Sequence, residues 1–268
     1  MATDRDESTR RSGSSYRFLF SPKWLAFHLL VIALVVTMIN LALWQLRRLD
    51  ERRDFNAKVT ANQNQLVTDI ADVPLDDPSA VEWRRVRATG TYVQGHEFLV
   101  VNRSQNGENG RNVVDALQLD GGQLLLVNRG FVPVDDDVPP VPTRVVTIEG
   151  RLRTSEHRKT GQPSDANVPG LTEIHRIDVK LLSGQFDTDV FPMYVDQLQP
   201  EKPLEEIVGP TLDEGPHLSY TIQWFIFSAC TVAGWVLAVR RSIAARSGKV
   251  AKKRKSAYIP IAEDESVR

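Results

Sequence analysis

LAFHLLVIALVVTMINLALW, from Leu25 to Trp44, is the stretch on which the reading of this chain turns. It is about 20 residues without a formal charge, enough for a helix rising about 1.5 Å per residue to cross a hydrocarbon core of about 30 Å. A second such stretch, LSYTIQWFIFSACTVAGWVLAV, runs from Leu218 to Val239. The pair predicts two transmembrane α-helices flanking a β-rich extracytoplasmic domain, an antiparallel curved sheet or partly open barrel with short helices. The expected divisions are a cytoplasmic tail over 1–24, a first span over 25–44, the domain over 45–217, a second span over 218–239 and a basic tail over 240–268.

Orientation follows from basic residues near the spans, which resist translocation. Arg5, Arg10, Arg11, Arg17 and Lys23 precede the first span, and Arg240, Arg241, Arg246, Lys249, Lys252, Lys253, Arg254 and Lys255 follow the second. Both termini are therefore expected in the cytoplasm, although Arg47, Arg48, Arg52 and Arg53 argue the other way locally. A long loop translocates regardless of its charge, so the middle domain is placed outside. Asp4, Asp6 and Glu7 disfavour a mitochondrial presequence. The span's full length and Trp44 at its end disfavour a cleaved signal. A bacterial plasma membrane is the expected location.

Cys230 is the only thiol and lies inside the second span. An intramolecular disulfide and a thiol-pair copper or zinc site are thereby excluded. A net charge of -1 offers no electrostatic footprint for nucleic acid. The basic C-terminal cluster suits the anionic lipid of a bilayer, and the closing AEDESVR reads as disordered.

After Trp44 the sequence QLRRLDERRDFNAKV lacks Gly and Pro, so a helical extension is expected over 45–62. Pairs at helical spacing are expected there: Arg47 with Glu51, Asp50 with Arg53, and Asp54 with Lys58. From Trp83 the period moves toward two. WRRVRATGTYV (Trp83 to Val93), with Gly90 as a candidate bulge, is followed by HEFLVVNR from His96, NVVDALQL from Asn112, GQLLLVNRGFVPV from Gly122 and TRVVTIEGRLR from Thr143. Asn106-Gly107, Asn109-Gly110 and Asp120-Gly121-Gly122 are expected to turn the chain between antiparallel neighbours. A short helix at Asp178 to Leu182 and a last strand at Phe191 to Leu198 complete the domain.

Five pieces in order carry a family resemblance: WQLRR at Trp44 to Arg48, WRRVRATGTY at Trp83 to Tyr92, LLVNRGFVP at Leu125 to Pro133, EGRLR at Glu149 to Arg153, and HLSYTIQWF at His217 to Phe225. Together they resemble the surfeit locus family of cytochrome c oxidase assembly proteins, over both spans and most of the domain. The chain departs from the family at Asp115-Ala116-Leu117, where a Thr-Pro-hydrophobic step is usual. Pro216 stands in place of Asn, and Thr221 in place of Ala.

The resemblance implies a non-enzymatic assembly factor that assists haem a insertion or stabilises the haem-containing subunit during maturation. Its implied partners are the haem-copper subunit of cytochrome c oxidase, haem a synthase or other respiratory complex subunits, and the lipid bilayer; haem a is the implied, transient cofactor. It also places a candidate haem iron ligand at His217, against an interfacial His as the plain alternative. Tyr220 and Trp224 follow His217 by three and seven residues, as a porphyrin platform or as an aromatic belt with core packing. Arg47 and Arg48 suit haem propionates or lipid phosphates equally. His28, inside the first span, is expected to pack neutral against the second helix. Ser228, Ala229, Ala233 and Gly234 are expected to present a helix surface to another membrane subunit. Arg84, Arg85, Asn128 and Arg129 are expected to anchor turns. No nucleophile elbow, phosphate loop or metal-protease helix motif occurs in the chain. The alternative from another class is a stable accessory subunit of a respiratory complex that does not touch haem.

Overall fold

The computed structural model describes residues 16–257, with side chains as far as 247. The expectations for Arg5, Arg10, Arg11 and the AEDESVR segment, and for the side chains from Lys249 onward, lie outside the described residues. The chain divides into two compact units, one made of the residues up to Arg53 with those from Glu214 onward, the other of Asp54–Asp213. The compact sheet unit begins at Asp54, within the helical extension expected over 45–62.

The first unit is built on two long helices, α1 (Pro22–Gln63) and α4 (His217–Ala257). Both are long and apolar enough to cross a membrane, with mean hydropathy of 2.4 and 1.8 in their apolar windows. Only 6% of each window is buried, which separates these helices from the core helix of a soluble fold. α1 runs on without a break through the charged segment after Trp44, as the missing Gly and Pro lead one to expect. The ion pairs along it differ from those expected. Arg48 meets Glu51 at 2.6 Å, Arg53 turns to Glu214 at 2.9 Å, and Lys58 reaches Glu82 at 3.7 Å. Acids brought near by the fold compete successfully with neighbours on the helix surface, whose pairs contribute only about 0.3–0.5 kcal/mol each.

Across the helix pair, inward residues recur in steps of four and three. On α1 they are Trp24, His28, Val31, Val35, Met38, Ala42, Gln45 and Leu49; on α4 they are His217, Thr221, Trp224, Ser228, Thr231, Trp235 and Ala238. A 3.5-residue spacing keeps one stripe of each helix facing its partner. Gln45 meets His217 and His28 meets Trp235, so the helices run antiparallel. Ala42, Thr221 and Ser228 are buried along this seam, where small side chains let helices approach. Ser228 therefore faces the sister helix, whereas Ala229, Ala233 and Gly234 are exposed.

The second unit is a seven-stranded, strongly curved sheet. Its strands are β1 (Thr68–Asp69), β2 (Arg85–Gln105), β3 (Glu108–Leu119), β4 (Leu124–Pro133), β5 (Val146–Thr154), β6 (Glu173–Ile174) and β7 (Val190–Gln197), with short helices α2 (Pro78–Val81) and α3 (Val179–Ser183). WRRVRATGTYV and HEFLVVNR, read as separate strands, belong to the single long strand β2. Its first half pairs with β5 and its second half with β3, the two ladders meeting at Gly90. Gly90 is not the bulge; a Cβ there would lie 2.1 Å from the Gln118 carbonyl oxygen, so the residue permits a close backbone approach. The irregularities fall further on, between Tyr92 and Glu97 and between Val100 and Arg103.

Asn106-Gly107 does form the turn between β2 and β3, with φ of 52° and 89°, the left-handed pair a two-residue hairpin loop requires. That tight turn draws Asn109 and Gly110 into β3, opposite Ser104 and Arg103, so they are strand residues and not a second turn. The sheet is also not wholly antiparallel, because β7 pairs parallel to β4 and antiparallel to β5. The chain crosses over through α3 after β5 and enters between them, and β1 and β6 add short parallel ladders to β2.

Every residue of β4 except Pro133 is buried. One side of the sheet carries Val86, Ala88, Leu117, Leu125, Val127, Leu152 and Val195 in one cluster. Phe98, Val114, Ala116, Leu126 and Tyr194 pack with Leu182 of α3 in a second. The apolar run Leu124–Val127 suits a strand covered on both faces, and the buried Asn128 and Arg129 that follow it are paired with Asp196 and Asp115.

Candidate functional site

The polar groups of the helix pair are few, and each histidine in it has one partner on the opposite helix. Trp235 donates its indole N–H to Nδ1 of His28 at 2.8 Å. Because indole can only donate, His28 Nδ1 must accept, and in the neutral ring its proton sits on Nε2. His217 is held the opposite way. Its Nδ1 lies 2.8 Å from Oε1 of Gln45, a carbonyl oxygen that can only accept, so the ring donates from Nδ1–H and the Nε2 lone pair remains. Metal-ligating histidines characteristically donate the other ring N–H to an acceptor in this way. Of the two imidazoles in the seam, only His217 is set as a metal ligand through Nε2. His217 would thus suit an iron ligand of a bound haem, and His28 would not. Glycine at 215 lies against this ring; a Cβ there would sit 3.4 Å from Nε2 and Cδ2.

The remaining candidates do not form one surface around His217. Trp224, two helical turns on, is half-buried in the seam and edge-on to Phe227 at 6.0 Å. Tyr220 is 45% exposed on the flank. Arg47 and Arg48 are both exposed; Arg48 is engaged by Glu51, whereas Arg47 has no ion pair among the described residues. Gln45, inside the WQLRR piece, is the residue of the candidate site that reading the sequence missed. Its signal was available: it continues the four-three stripe through Met38 and Ala42, so it had to face the sister helix.

In the domain the three resembling pieces converge. Arg153 of EGRLR lies over the ring of Trp83 at 3.8 Å and pairs with Asp196 at 3.0 Å, while Asn128 of LLVNRGFVP donates to the same carboxylate at 2.7 Å. Glu149 meets Arg87 at 2.7 Å and Arg85 at 3.4 Å, and these hydrogen bonds and charges hold its carboxyl below the usual range. Burial pushes the Asp196 carboxyl up, against the pull of Arg153. Arg129 donates to Asp115 at 3.1 Å and to the carbonyls of Pro139 and Pro140 at 3.1 and 3.3 Å, pinning the Asp135–Pro140 loop as an anchor of this kind should. Arg84, Arg85 and Asn128 bond to side chains and not to turn carbonyls. Asp115, at the departure from the family pattern, is buried; desolvation raises its carboxyl to about 6 although Arg129 draws it down. The ionic partner on β4 accommodates the acid that β3 carries.

A family profile described as the SURF1 family matches residues 32–229, which takes in most of the first apolar stretch, the whole domain and the start of the second. An uncharacterised SURF1-like protein of Mycobacterium tuberculosis is 33% identical over 235 residues, covering 81% of this chain and 83% of its own. A SURF1-like protein of Monosiga brevicollis is 29% identical over 242 residues, covering 81% and 89%. Surfeit locus protein 1 of Takifugu rubripes is 27% identical over 241 residues, covering 80% and 95%. With the profile spanning helices and sheet together, and a relative at this identity across most of both chains, the protein belongs to the SURF1 family.

Proposed function

We propose that this protein is a membrane-bound assembly factor for haem-copper cytochrome c oxidase that assists haem a insertion or steadies the haem-containing subunit during maturation. SURF1 proteins are known generally as cytochrome c oxidase assembly factors, and membership carries that coarse role. The observation that supports the finer reading is the tautomer imposed on His217 by Gln45, which leaves Nε2 free to hold haem iron. The bound group would supply the redox-active iron porphyrin that is the client's cargo. This chain's residues would hold and release it: His217 as ligand, Gln45 as its orienter, Trp224 and Tyr220 as aromatic neighbours, and Arg47 as a cation for a propionate. An apolar helix pair is a suitable place for a cofactor whose long hydrocarbon tail is costly to expose to water. In this reading both termini would lie in the cytoplasm of a bacterium and the domain outside, toward the haem-copper subunit.

The experiment is deletion of the gene followed by the reduced-minus-oxidised spectrum of the membranes. Haem a content and oxidase activity should fall together in the deletion and return with the intact gene. Normal haem a content and activity in the deletion would defeat the proposal. Purified mature oxidase should contain the protein at well below one copy; one-to-one retention would favour a structural subunit instead.

A further inference from the structure

A cavity of about 560 Å³ in the sheet domain is lined by Arg103, Glu156, His157, Lys159, His175 and Arg176 among others. None of these residues serves the haem reading, and cationic or imidazole groups outnumber the one acid. We propose that this cavity is a binding site for a phosphate group that keeps a proton, either free hydrogenphosphate or the monoanion of a phosphomonoester.

Three separate features of the backbone and side chains build the site. First, β2 carries one extra residue relative to β3 between Val100 and Arg103, and Asn102 within that irregularity has φ of 58°. Asn tolerates this left-handed conformation better than most residues, and a bulge re-aims the side chain that follows it. The side chain that follows is Arg103, which uses Nη2 on Glu156 at 3.1 Å and has no hydrogen-bond partner at its buried Nε.

Second, Asp165, whose side chain is 2% exposed, acts as a buried clamp. It accepts from the His175 backbone N–H at 2.9 Å and from Arg176 Nη1 at 3.2 Å, and it lies 2.6 Å from His175 Nδ1. Arg176 is further fixed by the Pro163 carbonyl. The carboxylate accepts from Nδ1–H, so a neutral His175 has a lone pair at Nε2. Third, Lys159 and His157 have no side-chain hydrogen bond or ion pair among the described residues.

A phosphate dianion matches this set because it offers both kinds of group. Its charged oxygens accept from Lys159 and Arg103, and its remaining P–OH donates to His175 Nε2. Sulfate has the same shape and charge but no proton to donate, and a site containing an acceptor rejects it.

The test is titration calorimetry on the full chain in phosphatidylcholine nanodiscs at mildly alkaline pH, where inorganic phosphate is chiefly the hydrogenphosphate dianion. Inorganic phosphate should bind at least about tenfold more tightly than sulfate. Lys159→Gln should weaken phosphate about tenfold. His175→Gln, whose side chain has a donor as well as an acceptor, should reduce the phosphate-to-sulfate ratio toward one. Lys159 is exposed, so its replacement leaves the fold intact and a loss of binding is interpretable. Repeating the titration in nanodiscs containing phosphatidic acid identifies the source: a lost inorganic phosphate signal means a lipid headgroup occupies the site, and an unchanged one means a soluble phosphate. Absence of phosphate binding in both bilayers, equal affinity for sulfate, or binding that Lys159→Gln leaves unchanged overturns the assignment.

Discussion

The helix pair and the sheet domain solve the placement of polar groups in opposite ways. In the pair, polar side chains are sparse: Gln45 with His217 near one end and His28 with Trp235 near the other cross-link the apolar helices, while Thr221, Ser228 and Thr231 bond back to carbonyls of their own helix. In the domain they are dense and charged. Arg129 with Asp115 and Arg153 with Asp196 sit among apolar strands, each with further hydrogen bonds. The difference lies in the reference state. A neutral hydrogen bond between apolar helices replaces an unsatisfied group in lipid at modest net gain, whereas a buried ion pair in the sheet domain must offset several kcal/mol of desolvation per ion. The domain is consequently the region where removing one partner hurts most.

The largest expected effect is therefore at Arg129. Arg129→Ala leaves Asp115 buried without its counter-charge and frees two loop carbonyls, and should destabilise the domain by about 3–5 kcal/mol in urea unfolding. The double replacement Arg129→Met with Asp115→Leu should recover most of that loss. Recovery of none would mean that the carbonyl contacts, not the ion pair, dominate.

Next in size is a pH effect at the same pair. The folded Asp115 carboxyl titrates near 6, above the unfolded carboxylate value near 4, so the folded protein keeps a proton that the unfolded chain has released. Stability contributed by Asp115 is thus full below about pH 4 and declines on the order of 2 kcal/mol as pH rises to about 6. Asp196, raised in the same direction, adds to the slope. Asp115→Asn should flatten the dependence across that window, whatever it does to absolute stability. A wild-type profile that rises from pH 4 to 6 and is unaltered by this substitution would contradict the burial argument.

The smallest effect belongs to the seam. Trp235→Phe removes the hydrogen bond to His28 but keeps an aromatic ring, and should cost about 0.6–1.5 kcal/mol in unfolding from mixed micelles. A loss as large as that at Arg129 would erase the contrast between the two regions.

What the sequence made legible follows the same division. Both apolar helices, and the unbroken run of α1 to Gln63, could be read from composition and from missing Gly and Pro. Strand positions and the Asn106-Gly107 turn were readable from period and turn chemistry. Pairing was not: the parallel β4–β7 ladder depends on where the chain crosses after β5, and Asn109-Gly110 carries the same signal as the true turn three residues earlier. At the candidate site, the resemblance pointed to His217, but its tautomer comes from Gln45, a residue 172 positions away. Arg48 and Ser228 carried the right chemistry for outside partners, yet Glu51 and the sister helix take them up.

In the proposed function His217 would present Nε2 to haem iron while Gln45 holds its other nitrogen. Visible absorption of the protein purified from haem a-producing cells tests it most directly. A haem band should be present in the wild type, lost in His217→Ala, weakened in Gln45→Leu and retained in His28→Phe. A band of undiminished intensity in His217→Ala would contradict the account.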